Sequence, residues 1–148
     1  MKVERDIEIE VPPEKVYGVL MDPGCLRRWV TIHEDLEDAP EGDLRKGSTL
    51  RQRLKVAGQK FSVTWKVTET KKPERVVWAG EGPMGTVANI RYSLEKTDAG
   101  HTRLSYFNEY ELPGGALGKL AGRAVSGAAA KETEKSLLKL KAFLERDS

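Results

Sequence analysis

Between Leu50 and Leu112 the chain alternates apolar and polar residues run after run, with only a short turn between one run and the next. Leu50, Gln52, Leu54 and Val56 are interleaved with Thr49, Arg51, Arg53 and Lys55. After the dipeptide Ala57-Gly58, Phe61, Val63, Trp65 and Val67 alternate with Ser62, Thr64, Lys66 and Thr68. A period of two puts each set on one face of a strand, so this is a hairpin with one apolar face. Arg75 to Gly80 is β-branched and aromatic. Ala88, Ile90, Tyr92 and Leu94, then Leu104, Tyr106, Asn108, Tyr110 and Leu112, form two more alternating runs. The turns at Lys72-Pro73-Glu74, Gly82 to Gly85 and Asp98-Ala99-Gly100 are too short for crossover helices, so the strands are antiparallel neighbours in a meander.

The segment before the meander adds an edge. Val3, Arg5, Ile7, Ile9 and Val11 alternate with acidic residues, and Pro12-Pro13 stops that strand where a helix can begin. Val16, Tyr17, Val19 and Leu20 form a short apolar helical face. Asp22-Pro23 reads as the cap and first residue of a second short helix carrying Leu26, Trp29 and Val30. A weak strand is expected near Val30 to Leu36, followed by a loop to about residue 46.

Residues 116 to 146 favour helix, and their composition is lopsided. Eleven of the 17 residues from Gly114 to Ala130 are Gly or Ala, whereas the later half is rich in leucine. One helical stripe runs Gly118, Gly122, Val125, Ser126, Ala129, Thr133, Leu137, Leu140, Leu144. If it faces the sheet, its leucines close one end of the interior while the small residues leave space at the other. Leu117 and Leu120 extend a second apolar stripe that suits a mouth, a lid or a small dimer patch, so a monomer or weak homodimer is expected. The charges of this helix, Lys119, Arg123, Lys131, Glu132, Glu134, Lys135, Lys139, Lys141 and Glu145, read as a solvated face.

Composition narrows the class. A chain of 148 residues is long enough for one domain with a sizeable core, and residues 1–148 are read as a single domain. No apolar run nears the roughly 18 residues of a membrane span, and the charged amino terminus is unlike a signal peptide, so a cytoplasmic protein without integral membrane association is expected. The single Cys25 fits a reducing compartment. With 25 basic against 23 acidic residues interspersed, nothing calls for nucleic acid.

The order strand, two short helices, antiparallel meander, long helix resembles the START-like or SRPBCC superfamily. Ile7, Ile9, Val11, Pro12, Pro13, Glu14, Lys15, Val16 and Tyr17 are similar to its opening strand and helix start, and Asp22, Pro23 and Trp29 to its Asp-Pro and corner tryptophan. Within the superfamily the chain most resembles the small bacterial polyketide cyclase/dehydrase and lipid-transport group. The resemblance implies an α+β helix-grip fold: a curved seven-stranded antiparallel sheet around the long helix, with a cavity for an apolar or aromatic small molecule. It also implies three functional possibilities: a binding or carrier protein, a cyclase/dehydrase-type enzyme, and a protein-interaction module of the Hsp90-activator kind.

Several apparent motifs fail on context. Gly80 to Gly85 matches G-x-G-x-x-G, but a strand follows where a helix N-terminus should hold a pyrophosphate. Gly114 to Lys119 suggests a phosphate loop, yet Pro113 and Leu120 stand where glycine and Ser or Thr are needed. His33 and His101 make no pair at metal-ligand spacing, and neither a metal nor a cofactor is called for. Cys25 has no local histidine to activate it and reads as core filler.

The inward faces name a candidate ligand wall: Gln52, Leu54, Phe61, Val63, Trp65, Trp78, Ile90, Tyr92, Tyr106, Asn108 and Tyr110, covered by Gly122, Val125, Ser126 and Ala129 of the helix. Gln52 and Asn108 stand among apolar neighbours and need partners, either within the protein or on a ligand. Substituting leucine at either position is expected to weaken a polar ligand without disturbing folding. Candidate acid–base groups are Glu34, His33 and Tyr106. If the weak strand turns Ile32 and Leu36 inward, His33 faces water and Glu34 the pocket; the segment's period is poor, so it leaves open which of the two faces the cavity.

Overall fold

A computed structural model describes residues 1–111 and 116–146, with side chains described except at 116–126. Strand β1 (Lys2–Ile9) leads to helix α1 (Pro13–Leu20), a 3₁₀ turn (Pro23–Cys25) and helix α2 (Leu26–Trp29). Six strands follow: β2 (His33–Asp38), β3 (Thr49–Val56), β4 (Gln59–Lys71), β5 (Arg75–Glu81), β6 (Val87–Lys96) and β7 (Thr102–Glu111). Helix α3 (Ala116–Arg146) comes last. They form one seven-stranded sheet in the order β1-β7-β6-β5-β4-β3-β2, with every neighbouring pair antiparallel. This is the expected helix-grip architecture.

Local chemistry accounts for the corners. Ala57 and Gly58 both take positive φ (50° and 79°), as a two-residue loop between twisted strands requires, and Val56 then faces Gln59 across the hairpin. Asp22 accepts a hydrogen bond from the Gly24 N–H at 2.9 Å, which fixes the turn into α2. The weak strand lies at His33–Asp38 rather than Val30 to Leu36. Its register against β3 breaks between His33 and Asp35 and again between Leu36 and Asp38.

The interior is closed under the later half of α3. Ile9, Val16, Leu20, Val76, Leu104 and Leu140 are at most 1% exposed, and Leu137 and Leu144 of α3 join them. The later half of α3 is also fastened by polar contacts: Arg5 Nε to Glu134 at 2.9 Å, Lys141 Nζ to the Glu8 carbonyl at 2.8 Å, and the Glu10 N–H to Glu145 at 2.7 Å. At the α2–β2 corner the Thr31 N–H donates to Ser136 Oγ at 3.0 Å. No described helix is long and apolar enough to cross a membrane.

Candidate functional site

Register places the large inward side chains in rows across the sheet. Asn108 faces Ile90, which faces Trp78, which faces Val67. Tyr110, Ala88, Gly80, Trp65 and Leu50 make a parallel row, and Tyr106, Tyr92 and Val76 a third. Above them α2 and α3 roof a cavity of about 150 Å³, the scale of void that takes a benzene-sized molecule. Its walls hold Gln52, Leu54, Phe61, Val63, Trp65, Trp78, Ile90, Tyr92, Tyr106, Asn108 and Tyr110 from the sheet and Ala129 from α3. These are the residues that alternation places inward. Gly122, Val125 and Ser126 lie outside the described side chains, as do Leu117 and Leu120.

Other wall residues go beyond the alternating set. Leu26, Trp29, Val30 and Ile32 come from α2 and the corner after it, and Glu132, Thr133, Ser136 and Leu137 from α3. Gly82, Thr86 and Val87 line the cavity at the β5–β6 turn, with Val87 exposed. Thr133 and Leu137 belong to the stripe legible in the sequence. The α2 residues could be found only by knowing that this short helix folds over the sheet. Glu132, expected on a solvated face, has a side chain only 30% exposed and lines the cavity.

The aromatic residues form a continuous edge-to-face chain. Trp65 meets Trp78 at 6.1 Å between ring centroids, Trp78 meets Tyr92 at 6.4 Å, and Tyr92 meets both Trp29 (6.3 Å) and Tyr106 (5.5 Å). Gly80 makes room for this chain: a Cβ there would lie 2.6 Å from Trp65 Cε3 and Cζ3.

Polar groups on the wall divide into satisfied and unsatisfied. The Trp65 indole N–H can only donate, and it donates to Gln52 Oε1 at 3.0 Å. The Gln52 amide nitrogen must then face His33 Nδ1, 2.9 Å away, so Nδ1 accepts and the ring proton of neutral His33 is on Nε2. By contrast Trp29 Nε1, Trp78 Nε1, Asn108 Oδ1 and the Tyr110 hydroxyl are buried without a hydrogen-bond partner, and all four residues line the cavity. Each such group costs about 1–3 kcal/mol unless water or a ligand completes it.

The structure separates the two acid–base candidates of β2, whose orientation the sequence leaves open. His33 is turned in toward Gln52, while Glu34 is exposed and pairs with Lys60 at 3.4 Å. The two register breaks in β2 are the reason, because strict alternation is lost across them. His33 does not itself line the cavity and reaches it only through Gln52. Burial holds its pKa below the usual histidine value, with Asp35 opposing. Burial pushes the Tyr106 phenol up to about 12 against the pull of hydrogen bonds with Thr133 and Asn108. It is therefore a hydrogen-bond donor at neutral pH and a poor base. Burial and the neighbouring Asp22 raise the Cys25 thiol to about 11, which leaves it unreactive.

The His33 environment makes stability pH-dependent in a definite direction. The unfolded chain takes up a proton on this side chain near pH 6.5, whereas the folded protein does so only at lower pH. Stability is thus unaffected above that value and falls as the pH drops through and below it. A His33→Asn variant, whose amide oxygen can still accept from Gln52, is expected to lose less stability between pH 7.5 and 5 than the parent. Thermal melting across that range measures it, and equal slopes would remove His33 as the source.

A family profile described as polyketide cyclase/dehydrase and lipid transport matches residues 1–145. The chain belongs to this family. Solved structures agree on the fold. The chain is similar to TTHA0849 from Thermus thermophilus (22% identity, TM-score 0.80, covering 100% of this chain and 99% of that one). It is likewise similar to the Zhui aromatase/cyclase from Streptomyces sp. R1128 (18%, 0.82, covering 99% and 94%). Toxin Rv0910 of Mycobacterium tuberculosis strain H37Rv is 26% identical over 89 residues, and the match spans 60% of this chain and 62% of that relative.

Proposed function

We propose that the protein binds a small hydrophobic or aromatic molecule in the cavity between sheet and α3, as a binding or carrier protein. The observation that carries this reading is the coincidence of void and unmet hydrogen bonding. All four buried, unpartnered side-chain polar atoms among the described residues belong to cavity-lining residues, in walls that are otherwise aromatic and aliphatic. A purely structural interior would be filled, internally paired or completed by trapped water. A ligand carrying a carbonyl or hydroxyl on an apolar frame would supply the missing partners. Native mass spectrometry of freshly purified protein, followed by solvent extraction, is expected to find a bound small molecule. A protein that is empty and also protects no hydrophobic fluorescent probe would overturn the reading.

A cyclase- or dehydratase-type enzyme uses the same cavity, and the likeness to the Zhui aromatase/cyclase favours it. Here Tyr106, with its phenol held protonated, is suited to donate to a substrate carbonyl. The extracted molecule separates the readings. A carrier returns it unchanged, while an enzyme alters the mass of an added precursor.

A further inference from the structure

The charge of the wall bears on which ligands the cavity accepts. Its described lining contains one charged residue, Glu132, and no Lys, Arg or His. The segment that carries Glu132 is held in place, because the Thr31 hydroxyl donates to the Glu132 carbonyl at 3.3 Å and bonds Ser136 one turn on. The carboxylate pairs with Lys135 at 3.5 Å. The lysine side chain is 65% exposed, so this ion pair is on the solvent side and weak. A carboxylate entering the cavity would lose hydration without gaining a counter-charge from the described wall, and would come near the Glu132 charge, which Lys135 offsets only in part.

We propose that Glu132 is a specificity-determining residue that makes the cavity select uncharged, hydrogen-bonding aromatic ligands over their carboxylate counterparts. This rests on the ligand-binding reading above. A neutral hydroxylated ring keeps its apolar contacts with Trp78 and Tyr92, can donate to Asn108 Oδ1, and brings no charge to the wall. A fatty-acid-like or aryl carboxylate of equal size has the same apolar area and the wrong head.

The test uses 2-naphthol and 2-naphthoic acid, which share a ring system and differ in charge at pH 7.5. Dissociation constants are measured for each by tryptophan fluorescence and isothermal titration, and their ratio is compared between proteins. The parent is expected to prefer naphthol. In Glu132→Gln the preference should shrink about fivefold, the size of a partly screened charge contact. Glu134→Gln serves as a control for net charge. It is on the same helix, but its carboxylate is bound to Arg5 at 2.9 Å and does not line the cavity. An unchanged ratio in Glu132→Gln, or an equal shift in Glu134→Gln, overturns the assignment while leaving ligand binding intact. If the parent binds neither probe, the ligand-binding reading itself fails.

Discussion

Gly80→Ala is expected to destabilise the protein by about 3 kcal/mol and to abolish probe binding, although it adds one methyl group. The carbon would be placed 2.6 Å from two ring atoms of Trp65 and 2.9 Å from Val63 Cγ1. Carbon atoms rest at about 3.5–4.0 Å, so one of the three must move. Val63 and Trp65 are side-by-side inward residues of β4 and are both buried, and Gly80 pairs with Trp65 across the ladder. The indole can yield toward the cavity that it lines. That movement breaks the Trp65–Gln52 hydrogen bond and the edge-to-face contact with Trp78. The variant should show a lower urea midpoint, a red-shifted tryptophan emission and no protection of a hydrophobic probe. A parental midpoint together with parental probe affinity would show that the sheet yields instead.

The same glycine illustrates what could and could not be read from the sequence. Alternation reports which residues face inward, since side-chain direction in a strand depends only on sequence parity. Hence Trp65, Trp78, Tyr92, Tyr106 and Asn108 can be placed on one wall before any coordinates. It cannot report that Gly80 faces Trp65, because pairing depends on register and on a β4–β5 irregularity between Val67 and Glu69. Gly80 therefore looks, in sequence, like part of a turn motif. Parity also fails at His33 and Glu34, where breaks in register reset the face, and a short acidic edge strand gives no hydrophobic signal by which to detect them. The contribution of α2 is hidden for a different reason. Four residues of helix show their own apolar side but not the distant sheet surface they cover.

Gln52 and Asn108, alike in sequence as lone amides on an apolar face, are expected to separate sharply when each is replaced by leucine. Gln52 is committed at both ends, accepting from Trp65 and donating to His33. Gln52→Leu removes two hydrogen bonds and strands the buried indole N–H, at a cost of about 3 kcal/mol. This revises the expectation that folding would be spared at that position. Asn108 is committed at one end only, because its side chain bonds Tyr106 while its Oδ1 has no partner. Leucine there gives up the one bond to Tyr106 but also discards an unsatisfied acceptor and extends the contacts with Ile90, its cross-strand neighbour, so stability should stay within about 1 kcal/mol of the parent. Affinity for a ligand with a donating hydroxyl should nevertheless fall roughly five- to tenfold, the worth of one buried hydrogen bond. Urea denaturation and 2-naphthol titration of the two variants decide the matter. Similar losses of stability at both positions would mean that the Asn108 acceptor is also structurally paired, and the hydrogen-bonding argument for a ligand would then rest on Trp29, Trp78 and Tyr110 alone.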